Sequence, residues 1–467
     1  MKRRQFPSMK NKYELDMSQG KLFPMLVAFA IPLILSGILQ LAFNAADLIV
    51  VGRFAGENSL AAVGSNQALV SLIVNVLMGM GTGTSVLVSR YYGAKNEAKL
   101  LDTIRTTVII AVVGGVIFGV LAILVSGSLL RIMGTPEEVL PLATVYLRIY
   151  FAGLPVLVLY NFCSAALRAV GDTKRPLIYL AIAGVLNVGM NLFFVIVFHM
   201  GVVGVALATV LSQCVSCYLT VRCLLRSKSI CRLELKGFRF SWVCFKEIFR
   251  IGLPAGIQGS LFSVSNVLIQ SSINSFGAMV MAGNSAGASI ESFSFVALDA
   301  VSQAAVASVS QNMGARKYDR TRQAVRCCTL LGFIVGVVMS MTIILLRRPL
   351  VGIYTSEPAA IEAGCRRLVV IGILYFINGF QHMFGGILRG HGYSLLPTCI
   401  TLMGICGFRV FWIYTAFAET RSLDLLYASY PISWVLTITV LLIFYFALRK
   451  KAYAKNEARV EHVLQSD

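Results

Sequence analysis

The chain reads as an all-α polytopic membrane protein with twelve transmembrane helices in two six-helix bundles related by a parallel repeat. Three observations carry that expectation. Of 467 residues, 57% are hydrophobic and only 13% are charged, which is too apolar for a soluble core of this size. The apolar residues fall into twelve runs of about 20 to 28 residues, the length that crosses some 30 Å of hydrocarbon at 1.5 Å per residue. Landmarks of the first half recur in the second at a spacing of about 221 residues.

The elements follow in order. A basic tail, 1-23, precedes a first lobe, 24-226, with spans at 24–51, 61–87, 105–128, 138–166, 177–198 and 202–225. A mixed-polarity loop, 227-246, carries Lys228, Arg232, Lys236 and Arg239 and leads into a second lobe, 247-448. Its spans are expected at 247–273, 279–308, 326–346, 359–386, 393–416 and 424–448, with a second tail at 449-467. Shifting the halves lays Ile31-Pro32 on Leu253-Pro254, Gly37 on Gly259, Asn44 on Asn266, Gly93 on Gly314, Arg168 on Arg389 and Gly171 on Gly392. Six spans is an even number, so both halves enter the membrane from the same side.

The net charge of +20 sits in short patches between apolar spans, which argues topology and excludes a continuous nucleic-acid-binding face. Lys2, Arg3, Arg4, Lys10, Lys12 and Lys21 mark the first tail; Arg90, Lys95, Lys99, Lys174, Arg175, Arg316, Lys317, Arg320 and Arg322 mark alternate loops. The intervening loops are nearly bare apart from Arg53, Arg131, Arg347, Arg348, Arg366, Arg367 and Arg421. By the positive-inside rule both termini are cytoplasmic and the protein is a multi-pass component of the inner (plasma) membrane. The first apolar run is too long for a signal-peptide core and lacks a small-residue cleavage site. Eleven scattered cysteines, Cys214 and Cys217 among them, read as packing residues of a reducing compartment, with no ligand set for a metal.

The first span holds one acid. Gln40, Asn44 and Asp47 recur at i, i+4, i+7 and so form a polar stripe on an otherwise lipid-compatible helix. A carboxylate at bilayer depth costs roughly 2.5 to 3.5 kcal/mol on insertion scales, so it faces a cavity, a partner or an ion, or else reaches the interface near Arg53. Asn187 and Asn191 share a face of the fifth span, where interhelical hydrogen bonding is the plain alternative. Two amides and a carboxylate suit a hard cation such as Na⁺ at Asp47, Asn187 and Asn191, or a proton carried by Asp47. At the shifted position the second lobe has Ile269 in place of the acid, while Asn266 and Gln270 keep a similar stripe. Glu291 in the eighth span either serves a cationic substrate, with Asn266 and Gln270, or a second coupling step, or lines a wet vestibule; roles for Asp299 and Arg409 are left open. The run Gly79-Met-Gly81-Thr-Gly83-Thr-Ser85 lies in a span with no preceding strand, so it serves close helix packing or a bend, not phosphate binding. Without a Walker A, HExxH or GxSxG motif the chain is read as no enzyme, without a cofactor, and any transport draws on an ion gradient.

Together these stretches resemble the multidrug and toxic compound extrusion (MATE) family over about 24–448. The motifs are AADLIVVGRFAG, GTGTSVLVSRYYGAKN, LRAVGDTKRP, LNVGMNLFFV, SQNMGARKYDR and LRGHGYSLLP, in that order. The resemblance implies two six-helix bundles around a central cavity and alternating-access export of small organic cations or amphipathic compounds in exchange for Na⁺ or H⁺, by a monomer in the bilayer. It places the ion at Asp47, and at the family's fifth-span Asn and Asp, which fall on Asn187 and Asn191, so this chain has one carboxylate fewer. An alternative is a lipid-linked precursor or polysaccharide flippase of a related family, for which a strongly cationic cavity is expected.

Overall fold

The computed structural model describes residues 13–227, 231–234 and 239–465. The basic residues Lys2, Arg3, Arg4, Lys10, Lys12, Lys228 and Lys236 lie outside them. In the first lobe the spans are α1 (Leu22–Phe54), α2 (Glu57–Gly93), α3 (Glu97–Ile132), α4 (Leu140–Ala152 and Leu154–Ala169), α5 (Lys174–Leu192, continued as a π-helix over Phe193–Val197) and α6 (Gly201–Arg226). In the second they are α7 (Trp242–Asn274), α8 (Ala278–Gly314), α9 (Tyr318–Leu345), α10 (Pro358–Gly372 and Tyr375–Gly390), α11 (Leu395–Thr420) and α12 (Leu423–Gln465). Among the described residues nine of these are long and apolar enough to cross a membrane, and the two parts of α4 together make a tenth. The remaining two, α7 and α10, stand at the repeat positions of α1 and α4.

Local chemistry sets the ends. Asn96 Oδ1 accepts the Lys99 amide at the start of α3, and Ser241 Oγ accepts the Cys244 amide at the start of α7. The expected single span 138–166 is bent by 47° at Gly153, where Pro155 has no amide to continue the ladder and the glycine lies hard against Val210. A short helix, Arg347–Gly352, precedes α10 where a loop was expected. The segment 449-467, expected as a tail, continues α12 as far as Gln465.

The repeat is written in the backbone as well as in the side chains. Left-handed residues recur at the 221-residue shift: Gly56 and Gly277 (φ 85° and 92°), Lys95 and Arg316 (53° and 57°), Gly171 and Gly392 (93° and 96°). Gly56 and Gly277 each start the second helix of a lobe, a conformation that an L residue reaches only under strain. The π-helix Phe193–Val197 of α5 has its counterpart in Ile413–Phe417 of α11.

The lobes exchange half-helices. Leu26, Phe29, Ala30 and Leu33 of α1 are buried in the core built by α8, α9 and α10, while Ile248 and Ile251 of α7 are buried in the core of the first lobe. Where α2 crosses α7, Gly79 and Gly83 face the backbone of Gly256, Gly252 and Ile248 directly, so the glycine-rich run is a helix-crossing surface. Gly93 meets the Gln311 backbone and Gly314 meets that of Arg90 in the same manner. Among the described residues the hydrogen bonds between lobes run from this face, which carries the N-terminal segment, to mid-helix pairs such as Asn75–Ser263 and Ser260–Leu72. Residues 13–21 lie across that face as a strap. Met17 is fully buried; its amide donates to Gln311 Oε1 at 2.9 Å, and its carbonyl accepts from Asn312 Nδ2 and Arg320 Nε. Lys317 Nζ donates to the Ser18 carbonyl at 2.8 Å, and the Leu15 amide donates to the Val170 carbonyl of the first lobe.

Candidate functional site

The acid of α1 is positioned by α5. Phe43 packs flat on Gly184, whose missing side chain lets the two helices approach, and one turn further on Asp47 meets Asn191. Asn191 Nδ2 donates both to Asp47 Oδ1 and, at 3.4 Å, to Asn187 Oδ1. Asn191 is fully buried, Asn187 nearly so, and Asn191 Oδ1 is a buried acceptor with no partner. The structure thus brings a carboxylate and two amides together, with the Asn191 nitrogen lying between the Asp47 and Asn187 oxygens and the Asn191 oxygen left without a partner. Among the described residues Asp47 forms no ion pair. Asp47 lies within electrostatic reach of Tyr146 of α4, which stacks on Tyr150 with centroids 6.2 Å apart.

Gln40 and Asn44 share the stripe with Asp47 but stay outside this cluster. They are exposed, and Gln40 Nε2 donates to Asn44 Oδ1 at 3.4 Å.

The second lobe is organised differently. Glu291 accepts both nitrogens of a fork from Arg367, Nε and Nη2, each at 2.8 Å. Arg367 also donates from Nη1 to Asn284 Oδ1 at 2.6 Å and lies over the rings of Tyr427 and Tyr430. Asn284 Nδ2 donates to Gln270 Oε1 at 3.0 Å, and Arg409 donates to Ser433 Oγ at 3.1 Å with its guanidinium 4.0 Å from the Tyr430 centroid. Two expectations are corrected here. Arg367 is not in a loop: it is 4% exposed within Pro358–Gly372, because consecutive Arg366 and Arg367 point about 100° apart and only Arg366 turns outward, to Asp424. Glu291 is not a vacant carboxylate for a cationic substrate, since both its oxygens are held by that arginine. Gln270 belongs to the same network, whereas Asn266 is exposed.

Asp299 accepts from Gln303 Nε2 at 2.7 Å and lies within electrostatic reach of Arg168, Arg389 and His382. Arg389 Nη2 donates to Gln258 Oε1 at 2.7 Å. The sequence-based selection missed Tyr146, Arg367 and the repeat-related pair Arg168 and Arg389. The signal for Arg367 was available, because a membrane acid such as Glu291 requires a partner and a double arginine in a helical run must bury one side chain. All eleven cysteines are free.

Comparison with known proteins gives one consistent result. The MatE family model matches residues 32–193 and 254–415, one copy per lobe. The chain is 29% identical over 436 residues to the "Probable multidrug resistance protein YoeA" of Bacillus subtilis strain 168, covering 91% of this chain and 93% of that one. Among solved structures it superposes on a MOP superfamily transporter from Pyrococcus furiosus, described as having a binding pocket of reverse polarity, with a TM-score of 0.89 at 22% identity, covering 95% and 99% of the two chains. A transporter solved in an outward-facing conformation gives a TM-score of 0.86 at 22% identity, covering 96% and 100%. At that identity the structural matches speak for the fold.

Proposed function

The chain belongs to the MatE family of multidrug efflux transporters, and on that premise we propose that it is a secondary antiporter that exports organic cations or amphipathic compounds in exchange for Na⁺ or H⁺. One observation supports this above the rest. Of the three acids described above, Glu291 is neutralised by Arg367 and Asp299 lies within reach of Arg168 and Arg389, while Asp47 accepts from the amide of Asn191 and forms no described ion pair. A carboxylate in that state exchanges a small cation at modest cost, because no fixed positive charge competes for it.

The exchange reaches the lobes through α1. Its second half carries Asp47 against α5 in the first lobe, while its first half lies in the core of the second lobe. Pro32, at the end of the second-lobe anchor, lacks the amide that would bind the preceding turn and leaves a place to bend. When a proton or Na⁺ occupies the Asp47 carboxylate, the Asn191 hydrogen bond loses its charge-assisted acceptor, and the α1–α5 contact changes strength by about 1 to 2 kcal/mol. That difference biases the packing of one lobe on the other. With the strap face cytoplasmic and the chain a monomer of the plasma membrane, the lobes are joined on their inward side.

The test is efflux of a fluorescent organic cation from proteoliposomes with Na⁺ and pH gradients imposed separately. Wild type is expected to respond to one gradient, and Asp47→Asn, with unchanged thermal stability, to neither. Gradient-driven efflux that survives Asp47→Asn overturns the assignment.

A further inference from the structure

A groove of about 690 Å³ lies on the outer side of the second lobe between α9, α10 and α12, away from Asp47 and from the Glu291 network. Its two ends differ in chemistry. At the strap-face end stand three guanidinium groups, Arg322 and Arg326 one turn apart on α9 and Arg449 on α12. Further along are aromatic rings: Phe333 stacks on Phe380 with centroids 6.3 Å apart, and Phe384 meets Tyr445 edge-on at 5.6 Å. Seven residues separate Arg326 from Phe333, roughly 10 Å along the helix. The groove therefore runs from a cationic mouth at the membrane surface to an apolar floor at acyl-chain depth.

The cations are available to a ligand. Arg322 pairs with Asp319, whereas Arg326 and Arg449 form no ion pair among the described residues. Arg326 is exposed, and Arg449 lies over the Phe446 ring at 5.1 Å and beside the Tyr445 hydroxyl, which hold its guanidinium at the mouth. Helices that serve only as lipid-facing walls need neither feature.

We propose that this groove is a binding site for one anionic phospholipid, its phosphate at Arg322, Arg326 and Arg449 and an acyl chain along Phe333, Phe380 and Phe384. Charge complementarity selects the headgroup and the ring-lined floor selects a chain over a free anion. Each juxtamembrane cation contributes about 1 kcal/mol toward an anionic lipid, which is about fivefold in affinity. Arg322 contributes less than the other two, because Asp319 already holds it.

The test is native mass spectrometry of the purified full-length protein titrated with phosphatidylglycerol and with phosphatidylcholine of the same chains. Wild type is expected to retain phosphatidylglycerol preferentially. The preference falls about fivefold in Arg326→Gln and in Arg449→Gln, less in Arg322→Gln, and is kept in Arg326→Lys. A diazirine-bearing phosphatidylglycerol should label peptides of α9, α10 and α12. Equal retention of both lipids, a preference that survives removal of all three arginines, loss of it in Arg326→Lys as complete as in Arg326→Gln, or labelling confined to other helices overturns the proposal. Because the three arginines lie at the protein's rim, an unchanged melting temperature of the variants in detergent separates lost binding from lost folding.

Discussion

Arg367 and Glu291 are each nearly buried, so removing one leaves the other as an uncompensated charge in an apolar setting. Arg367→Ala is expected to destabilise the protein by about 3 to 5 kcal/mol, and Arg367→Met with Glu291→Gln to recover most of it, as read by thermal unfolding in detergent. A double variant no more stable than Arg367→Ala contradicts the pairing. His391, in the turn between α10 and α11, gives a pH dependence of known sign. Burial, reinforced by Arg90, pushes its pKa down to about 4 from 6.5, so the unfolded chain binds the proton more readily. Its contribution to stability is whole above pH 6.5, is lost as pH falls toward 4, and changes no further below that. The melting temperature should fall across this window in wild type and fall less in His391→Asn. The contact of Asp47 with Asn191 joins residues that helical spacing and the cost of a membrane carboxylate single out separately; that they meet across two helices is visible only in three dimensions. Arg367 was legible only in part: the acid Glu291 calls for a partner, but which arginine supplies it depends on the three-dimensional position of Glu291.

At the level of helices, the glycines of α2 and α7 decide how closely the lobes approach. A Cβ on Gly79 or Gly83 meets backbone of α7, which cannot yield as a side chain would. Gly79→Val is expected to cost the closed strap face about 1 to 3 kcal/mol, enough to shift the balance of conformations by roughly fivefold to a hundredfold. Spin labels on the strap-face ends of α2 and α7 should then report longer distances than in wild type. An unchanged distance distribution removes this crossing from the closing mechanism. The spans themselves were visible as apolar runs, since a bilayer imposes length and polarity together. Their breaks were not. The bend at Gly153 depends on Val210 of a neighbouring helix, and the continuation of α12 to Gln465 rests in part on Asn456 bonding to Met313 and Tyr318, neither of which a local pattern contains.

For the molecule as a whole, the 221-residue shift foretold the architecture, and the paired left-handed residues show how deep the repeat goes. The divergence between lobes was foretold only in part, as Ile269 standing opposite Asp47. The exchange of half-helices and the strap are contacts between residues hundreds of positions apart, beyond the reach of periodicity. The strap has a consequence for biosynthesis. Met17 leaves the ribosome early, yet the groups that hold it, Gln311, Asn312 and Arg320, follow 294 to 303 residues later. At ordinary rates of translation that interval is roughly 15 to 60 s. During it the strap has only its first-lobe contacts, such as Leu15 on Val170, so the seating of Met17 marks the completion of both lobes, and a nascent protein arrested after the first lobe carries Met17 without its partners as a visible sign of unfinished assembly.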